Sequence, residues 1–136
     1  MVVHFHLIAR LSLSFLWLAT AITSPFFAKD IGYEVLAHGG IRGSLASVCI
    51  WAGSALDLVI GIWLLAGWQL QRCYLFQFGV IITYTALLTI IKPDFWLHPF
   101  GPLTKNIPIL VMISYLYLST YSDKLMGQKT LSTNNR

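Results

Sequence analysis

Apolar residues fall in four long runs, and polar, turn-forming stretches separate them. Residues 11–28 carry no charge between Arg10 and Lys29, residues 73–91 none between Arg72 and Lys92, and residues 106–122 none between Lys105 and Asp123. Each run approaches the roughly 17–25 residues that carry a helix across a bilayer. A further run, residues 43–71, is longer and holds Asp57 at its centre. The pattern predicts an all-α integral membrane protein built as a four-helix bundle, with an ordered outer loop between its third and fourth helices. Residues 1–122 form the transmembrane domain on this reading, and residues 123–136 a polar, disordered tail.

Helical spacing sorts the polar and small residues of each run onto one face. In the first run Arg10, Ser14, Trp17, Ala21 and Ser24 share a stripe. In the second, Cys49, Gly53, Asp57, Gly61 and Leu64 do so, with glycine one turn away on either side of the acid. A carboxylate at mid-membrane costs about 2.5–3.5 kcal/mol on insertion and persists where it faces the interior, finds a donor or is protonated. The third run aligns Gln77, Ile81, Tyr84 and Leu88, with Thr85 and Thr89 beside them, and the fourth aligns Leu110, Ser114, Tyr117 and Tyr121. Asn106 is placed to cap the fourth helix, and Pro108 falls in its first turn, where a missing N–H costs nothing. Such faces either pack on neighbouring helices, as small residues and hydroxyls do in lipid, or line a ligand site.

The connections differ in kind. Residues 29–43 read as a solvated loop with one or two turns of interfacial helix before Gly39-Gly40, and Glu34 and His38, four apart, share a face there. Gly67-Trp68-Gln69-Leu70-Gln71-Arg72 is a tight turn with an interfacial tryptophan, so the second and third spans are antiparallel neighbours. Between the third and fourth lies Trp96-Leu97-His98-Pro99-Phe100-Gly101-Pro102-Leu103-Thr104-Lys105-Asn106-Ile107-Pro108. Its prolines and glycine forbid a continuous helix, and each restricted φ angle favours a fixed turn. Phe100 and Leu103 provide apolar side chains to dock it, while His98, Lys105 and Asn106 supply a titratable ring, a cation and an amide. His98 and Lys105 are expected to face the loop between the first two spans, where Glu34 offers a countercharge and Arg42 a donor.

Composition agrees with the pattern: 57% of residues are hydrophobic and only 10% charged, far from a soluble domain. The apolar stretch 7–28 exceeds the roughly 7–15 residues of a signal-peptide core, and Ser24-Pro25-Phe26-Phe27 is a poor cleavage site, so it is expected to stay as a span. The net charge of +4 comes from single Lys and Arg residues at span ends, which excludes a nucleic-acid surface. Arg10, Arg72, Lys124, Lys129 and Arg136 against Lys29, Arg42, Lys92 and Lys105 place both termini in the cytoplasm by the positive-inside rule. The expected location is a bacterial-type inner (plasma) membrane.

Other chemistry is bounded as tightly. Cys49 sits early in the second run and Cys73 opens the third, so the helix between them carries the chain roughly 30 Å, beyond the roughly 7 Å Cα limit of a disulfide. His4 and His6 lie at one end, His38 and His98 at the other, and no metal-ligand spacing is present, so no metal is expected. No span contains a histidine pair for haem. No nucleophile elbow or phosphate-binding glycine loop occurs. What remains is a ligand site of His98, Lys105, Asn106, Glu34, His38 and Arg42 above a core of Asp57, Gln77 and Tyr84, suited to an amphipathic ligand such as a quinone or a lipid.

The run 98–108, the opening Arg10-Leu11-Ser12-Leu13 with Phe15-Leu16-Trp17-Leu18, and Asp57 followed by Gly61 give the chain a resemblance to the DoxX-like membrane family of the DoxD-like group. The resemblance covers nearly all of residues 10–121. It implies a four-helix membrane protein, of a kind often encoded or fused beside oxidoreductases, with relatives assigned to quinone-linked sulfur oxidation or membrane oxidative-stress complexes. Relatives often carry Glu where this chain has Asp57, and a Lys where it reads Ser24-Pro25, with Lys29 displaced. The expected function is therefore a quinone- or lipid-binding subunit of a membrane oxidoreductase system. Its alternative is a non-enzymatic scaffold or assembly protein that binds lipid or another membrane protein. The partners expected are the bilayer, a separate oxidoreductase chain and further copies of the chain. No cofactor beyond a quinone is indicated.

Overall fold

The computed structural model describes residues 2–99 and 101–134, and the described residues form an all-helical protein without a strand. Five α-helices follow one another: α1 (Val2–Phe26), α2 (Lys29–His38), α3 (Gly43–Ala66), α4 (Leu70–Ile91) and α5 (Asn106–Asn134). A short 3₁₀ helix, Pro93–Trp96, lies between the last two. Residues 29–38, read from the sequence as mostly loop, are thus a helix of ten residues. It ends at Gly39-Gly40, where Gly40 turns the chain with φ +80°.

Local chemistry sets the other boundaries. Gly67, at φ 70° in the left-handed region, closes α3 by donating its N–H to the Trp63 carbonyl. The Trp63 indole in turn donates to the Trp68 carbonyl at 2.7 Å, pinning the turn into α4. Helix α4 stops at Ile91 because Lys92 precedes Pro93 and is pushed out of helical geometry, at φ −145° and ψ 75°.

Among the described residues three helices are long and apolar enough to cross a membrane: His4–Phe26, Gly43–Ala66 and Leu70–Ile91. Helix α5 matches them in length, but Tyr115, Tyr117, Tyr121 and the hydroxyl residues among them dilute its apolar character. It continues beyond Ser122, where the sequence predicts the end of the membrane domain, as far as Asn134.

The surface carries the signature of a lipid solvent. Phe15, Ile22, Val59, Ile62, Leu75, Ile82, Val111 and Leu118 all point outward, in a density that water would not tolerate. Hydrocarbon outside is as apolar as leucine inside, so burial alone does not drive helices together. Close packing and polar contacts must. The two tightest pairs are α1 with α3 and α4 with α5. At the first, Gly61 lets the helices touch: a Cβ there would lie 2.7 Å from Leu18 Cγ and Cδ2. One turn along, the Ser14 hydroxyl crosses to donate to the Gly61 carbonyl at 2.8 Å.

The core joins all four long helices through Leu13, Trp17, Ile60, Leu64, Cys73, Tyr74, Ile81, Ile113 and Leu116. The α1 stripe faces it as expected, with Ser14, Trp17 and Ala21 buried. Among the described residues of α5, Ile113 and Leu116 are buried, while Leu110 and Tyr117 of the line read from the sequence pack partly buried against the core and Tyr121 is exposed. The hydroxyl of Ser114 is spent on its own helix, donating to the Leu110 carbonyl at 2.8 Å. Thr20, Thr23, Thr83, Thr85, Thr89 and Thr120 likewise donate to the carbonyl four residues back.

Candidate functional site

A cavity of about 160 Å³ opens where α1, α3, α4 and the start of α5 meet. Asp57 of α3, Tyr84 of α4, and Lys105 and Asn106 at the entry to α5 supply its polar lining. Trp17 and Thr20 of α1 and the aliphatic Leu16, Ile81 and Ile109 complete it. Four of the residues predicted from the sequence are therefore brought together, although up to 49 positions separate them (57 to 106).

Asp57 is the group on which the site turns. It is buried to 6% exposure, and its Oδ1 has no hydrogen-bond partner among the described residues. Ser54, three residues earlier on the same face, also buries a hydroxyl without a partner there. A native structure rarely strands a buried polar atom unless a ligand, water or proton completes it. Lys105 stands exposed at the edge of the cavity, while Asn106 is half-buried and donates from Nδ2 to Thr85 Oγ1 at 2.9 Å. Asn106 is thus the first residue of α5 and ties that helix to α4 with the side chain expected to cap its own helix. Tyr84 lies so near α3 that a Cβ on Gly53 would come 3.4 Å from its hydroxyl.

Gln77 sits beneath the cavity, completely buried. Its Oε1 accepts from the Trp17 indole at 2.8 Å, and its Nε2 donates to the Cys73 carbonyl at 3.3 Å. The residue is satisfied on both sides and fixes the orientation of the tryptophan that walls the site. Its role is positioning.

The remaining predicted residues are elsewhere at the same end of the helices. Glu34 makes an ion pair with Lys92, not with His98 or Lys105. Its countercharge is supplied from the end of α4 because α2 folds back over that helix. The Lys92 ammonium, by hydrogen bond and charge, holds the Glu34 carboxyl below its ordinary 4.5, with a smaller contribution from His38. His38 donates from Nδ1 to the Glu34 carbonyl at 2.8 Å, so it closes its own helix turn. Arg42 is exposed at the residue before α3. His98 is exposed and stacks edge-on against Phe95, with 6.2 Å between ring centres. Among the described residues no three His, Cys, Asp or Glu side chains converge as a metal would need.

The segment carrying Lys105 and Asn106 is internally bonded. Gly101 N–H donates to the His98 carbonyl at 2.8 Å, Lys105 N–H to Gly101 at 3.1 Å and Asn106 N–H to Leu103 at 3.0 Å. Gly101 adopts φ 51°, and a side chain there would collide with the Thr104 hydroxyl. Leu103 is completely buried and anchors the turn; Phe100, expected to share that task, lies outside the described residues. Just before it, the Trp96 indole donates to Thr89 Oγ1 at 3.1 Å.

Thr85, Lys92 and Trp17 are the residues whose part the sequence conceals. Thr85 and Trp17 carry the helical-face signal, but Lys92 reads only as an interfacial anchor. A sequence model described as the DoxX-like family matches residues 14–114, a span that contains every polar group of the cavity. No curated protein and no solved structure matches the chain.

Proposed function

We propose, since the chain belongs to the DoxX-like family and is a small integral membrane protein, that its cavity receives the carbonyl-bearing head of a quinone on behalf of a separate oxidoreductase chain. The observation that carries the reading is Asp57, a buried carboxyl with an unpartnered oxygen, opening into the same cavity as a lysine and an amide. Lys105 and Asn106 are donors for a carbonyl oxygen, and Asp57 is the group able to pass a proton to it. A bound quinone supplies two-electron, two-proton chemistry, and the electrons come from the partner chain. Trp17, held by Gln77, gives the ring an apolar wall.

The same reading makes α5 the fourth span of a four-helix membrane bundle, in the inner membrane, with both termini cytoplasmic. Single cysteines placed at Thr104 and Ser132 then label from opposite faces, and labelling from one face overturns the fourth span. For the site, the test is purification in mild detergent with mass and absorbance analysis of what accompanies the protein, followed by titration with a short-tailed benzoquinone. Quinone is expected in the native preparation, Asp57→Asn is expected to retain binding, and Asp57→Leu to weaken it about tenfold through loss of a hydrogen-bond donor to the quinone carbonyl. Phospholipid or a protein partner alone in the preparation, with no benzoquinone binding, replaces this reading by that of a non-enzymatic scaffold.

A further inference from the structure

Helices α3 and α4 are joined by a tight turn yet touch sparingly, compared with the α1–α3 and α4–α5 pairs. They splay, and on their outer side they leave an open groove of about 400 Å³. Leu56, Leu75, Phe76, Gly79 and Val80 line it, with Thr83 and Tyr84 as the hydroxyl residues among its described lining. The Thr83 hydroxyl already donates to the Gly79 carbonyl at 2.8 Å, so it offers no free donor to a polar guest. The glycine is what keeps the groove open, since a Cβ on Gly79 would meet nothing within 4 Å. Tyr84 belongs to both this groove and the polar cavity of Asp57, Lys105 and Asn106. Its ring is the wall they share.

We propose that the groove holds the apolar tail of the molecule whose head occupies the Asp57–Lys105–Asn106 cavity, so that one single-tailed amphipathic ligand lies across Tyr84. The inference rests on the head site described under the proposed function and adds its second half. Three features choose this occupant. Away from Tyr84, the lining accepts hydrocarbon and offers a headgroup no free donor. The volume lies within the roughly 300–1,000 Å³ of small-molecule sites. Tyr84 joins it to the polar cavity, so the head and the tail of one molecule reach both sites.

The gain from the groove is contact, not escape from water, because lipid surrounds it. The experiment must therefore compare protein variants at a fixed ligand, where membrane partitioning cancels. The full chain, in phospholipid nanodiscs, is titrated with benzoquinones bearing one isoprene unit or a long isoprenoid tail, and separately with a monoacyl phospholipid. Gly79→Leu, which fills the groove without touching the polar cavity, is expected to weaken the long-tailed quinone about tenfold, the equivalent of some ten lost van der Waals contacts. It is expected to leave the one-isoprene quinone unchanged. Phe76→Ala, which removes one wall, is expected to move the long-tailed ligand alone in the same direction.

Binding of both quinones unaffected by either variant overturns the groove and leaves the head site standing. No binding of either quinone to the native chain, with no monoacyl lipid retained, overturns both. Retention of monoacyl lipid in their place, released by Gly79→Leu, upholds the groove and assigns the head to a phospholipid. A change in oligomeric mass on Gly79→Leu with unaltered ligand affinity overturns it in favour of contact between copies.

Discussion

Replacing Gly61 by alanine tests whether close approach of α1 and α3 holds this protein together. The added methyl would lie 2.7 Å from Leu18 Cγ and Cδ2 and 3.3 Å from the Leu18 backbone nitrogen. Carbon atoms settle at about 3.5–4.0 Å, so the helices must part by roughly 1 Å. The end of the Leu18 side chain can swing, but shifting its Cγ takes Leu18 out of its χ1 rotamer, and the backbone nitrogen cannot move without the helix. Overpacking of this kind costs about 1–3 kcal/mol. Parting also stretches the Ser14 hydrogen bond to the Gly61 carbonyl, 2.8 Å long, which contributes a further ~1 kcal/mol. Against this, alanine gains about 1 kcal/mol of helix propensity over glycine. Gly79→Ala, on α4, receives that gain with no collision, since nothing lies within 4 Å. The two variants are expected to differ by about 2–4 kcal/mol, with Gly61→Ala the less stable. Unfolding by dodecyl sulfate titration in mixed micelles, followed by helical circular dichroism and tryptophan fluorescence, measures the difference. Equal midpoints would show that the α1–α3 contact yields freely and would refute the packing argument.

Two further outcomes follow from polar contacts. Gln77→Leu is expected to lower stability by about 1–3 kcal/mol by stranding the buried Trp17 indole N–H, and adding Trp17→Phe to it is expected to recover part of that loss; purely additive effects in the double-mutant cycle would deny the coupling. Lys92 holds the Glu34 carboxyl below 4.5, so the pair's contribution is present above that pH and is lost as pH falls through the lowered value. Both groups meet solvent and the effect is small; carboxyl NMR of Glu34 is expected to show its titration return to about 4.5 in Lys92→Gln, and an unchanged titration would remove the ion pair.

What the sequence makes legible here is what helical periodicity can carry. Ser14, Trp17 and Ala21 recur at steps of three and four, and all are buried. Asp57 stands out because a charge in an apolar run has few tolerable positions. The polar turn before α5 stands out through its prolines, and it delivers Lys105 and Asn106 to the cavity. Contacts between distant positions are another matter. The Glu34–Lys92 pair is separated by 58 residues and the Trp17–Gln77 bond by 60, so neither is visible before the helices are arranged in space. On α5 the hydroxyls of Ser114 and Thr120 bond to their own helix, which frees them from any need of the core, so the polar pattern of that helix does not mark its buried face.

Those back-bonded hydroxyls bear on how the chain enters the bilayer. A helix that reaches lipid before its neighbours are in place must satisfy its polar groups from within. Thr20, Thr83 and Thr89 do so with their own carbonyls, so these hydroxyls add little polar character to the helices that carry them. Gln77 is half provided for: its amide N–H finds Cys73 on the same helix, but its oxygen awaits Trp17 from a helix made earlier. Asp57 has no such arrangement. Biogenesis of α3 is therefore the step at which the polypeptide depends most on company, whether α1 already in the membrane or a proton.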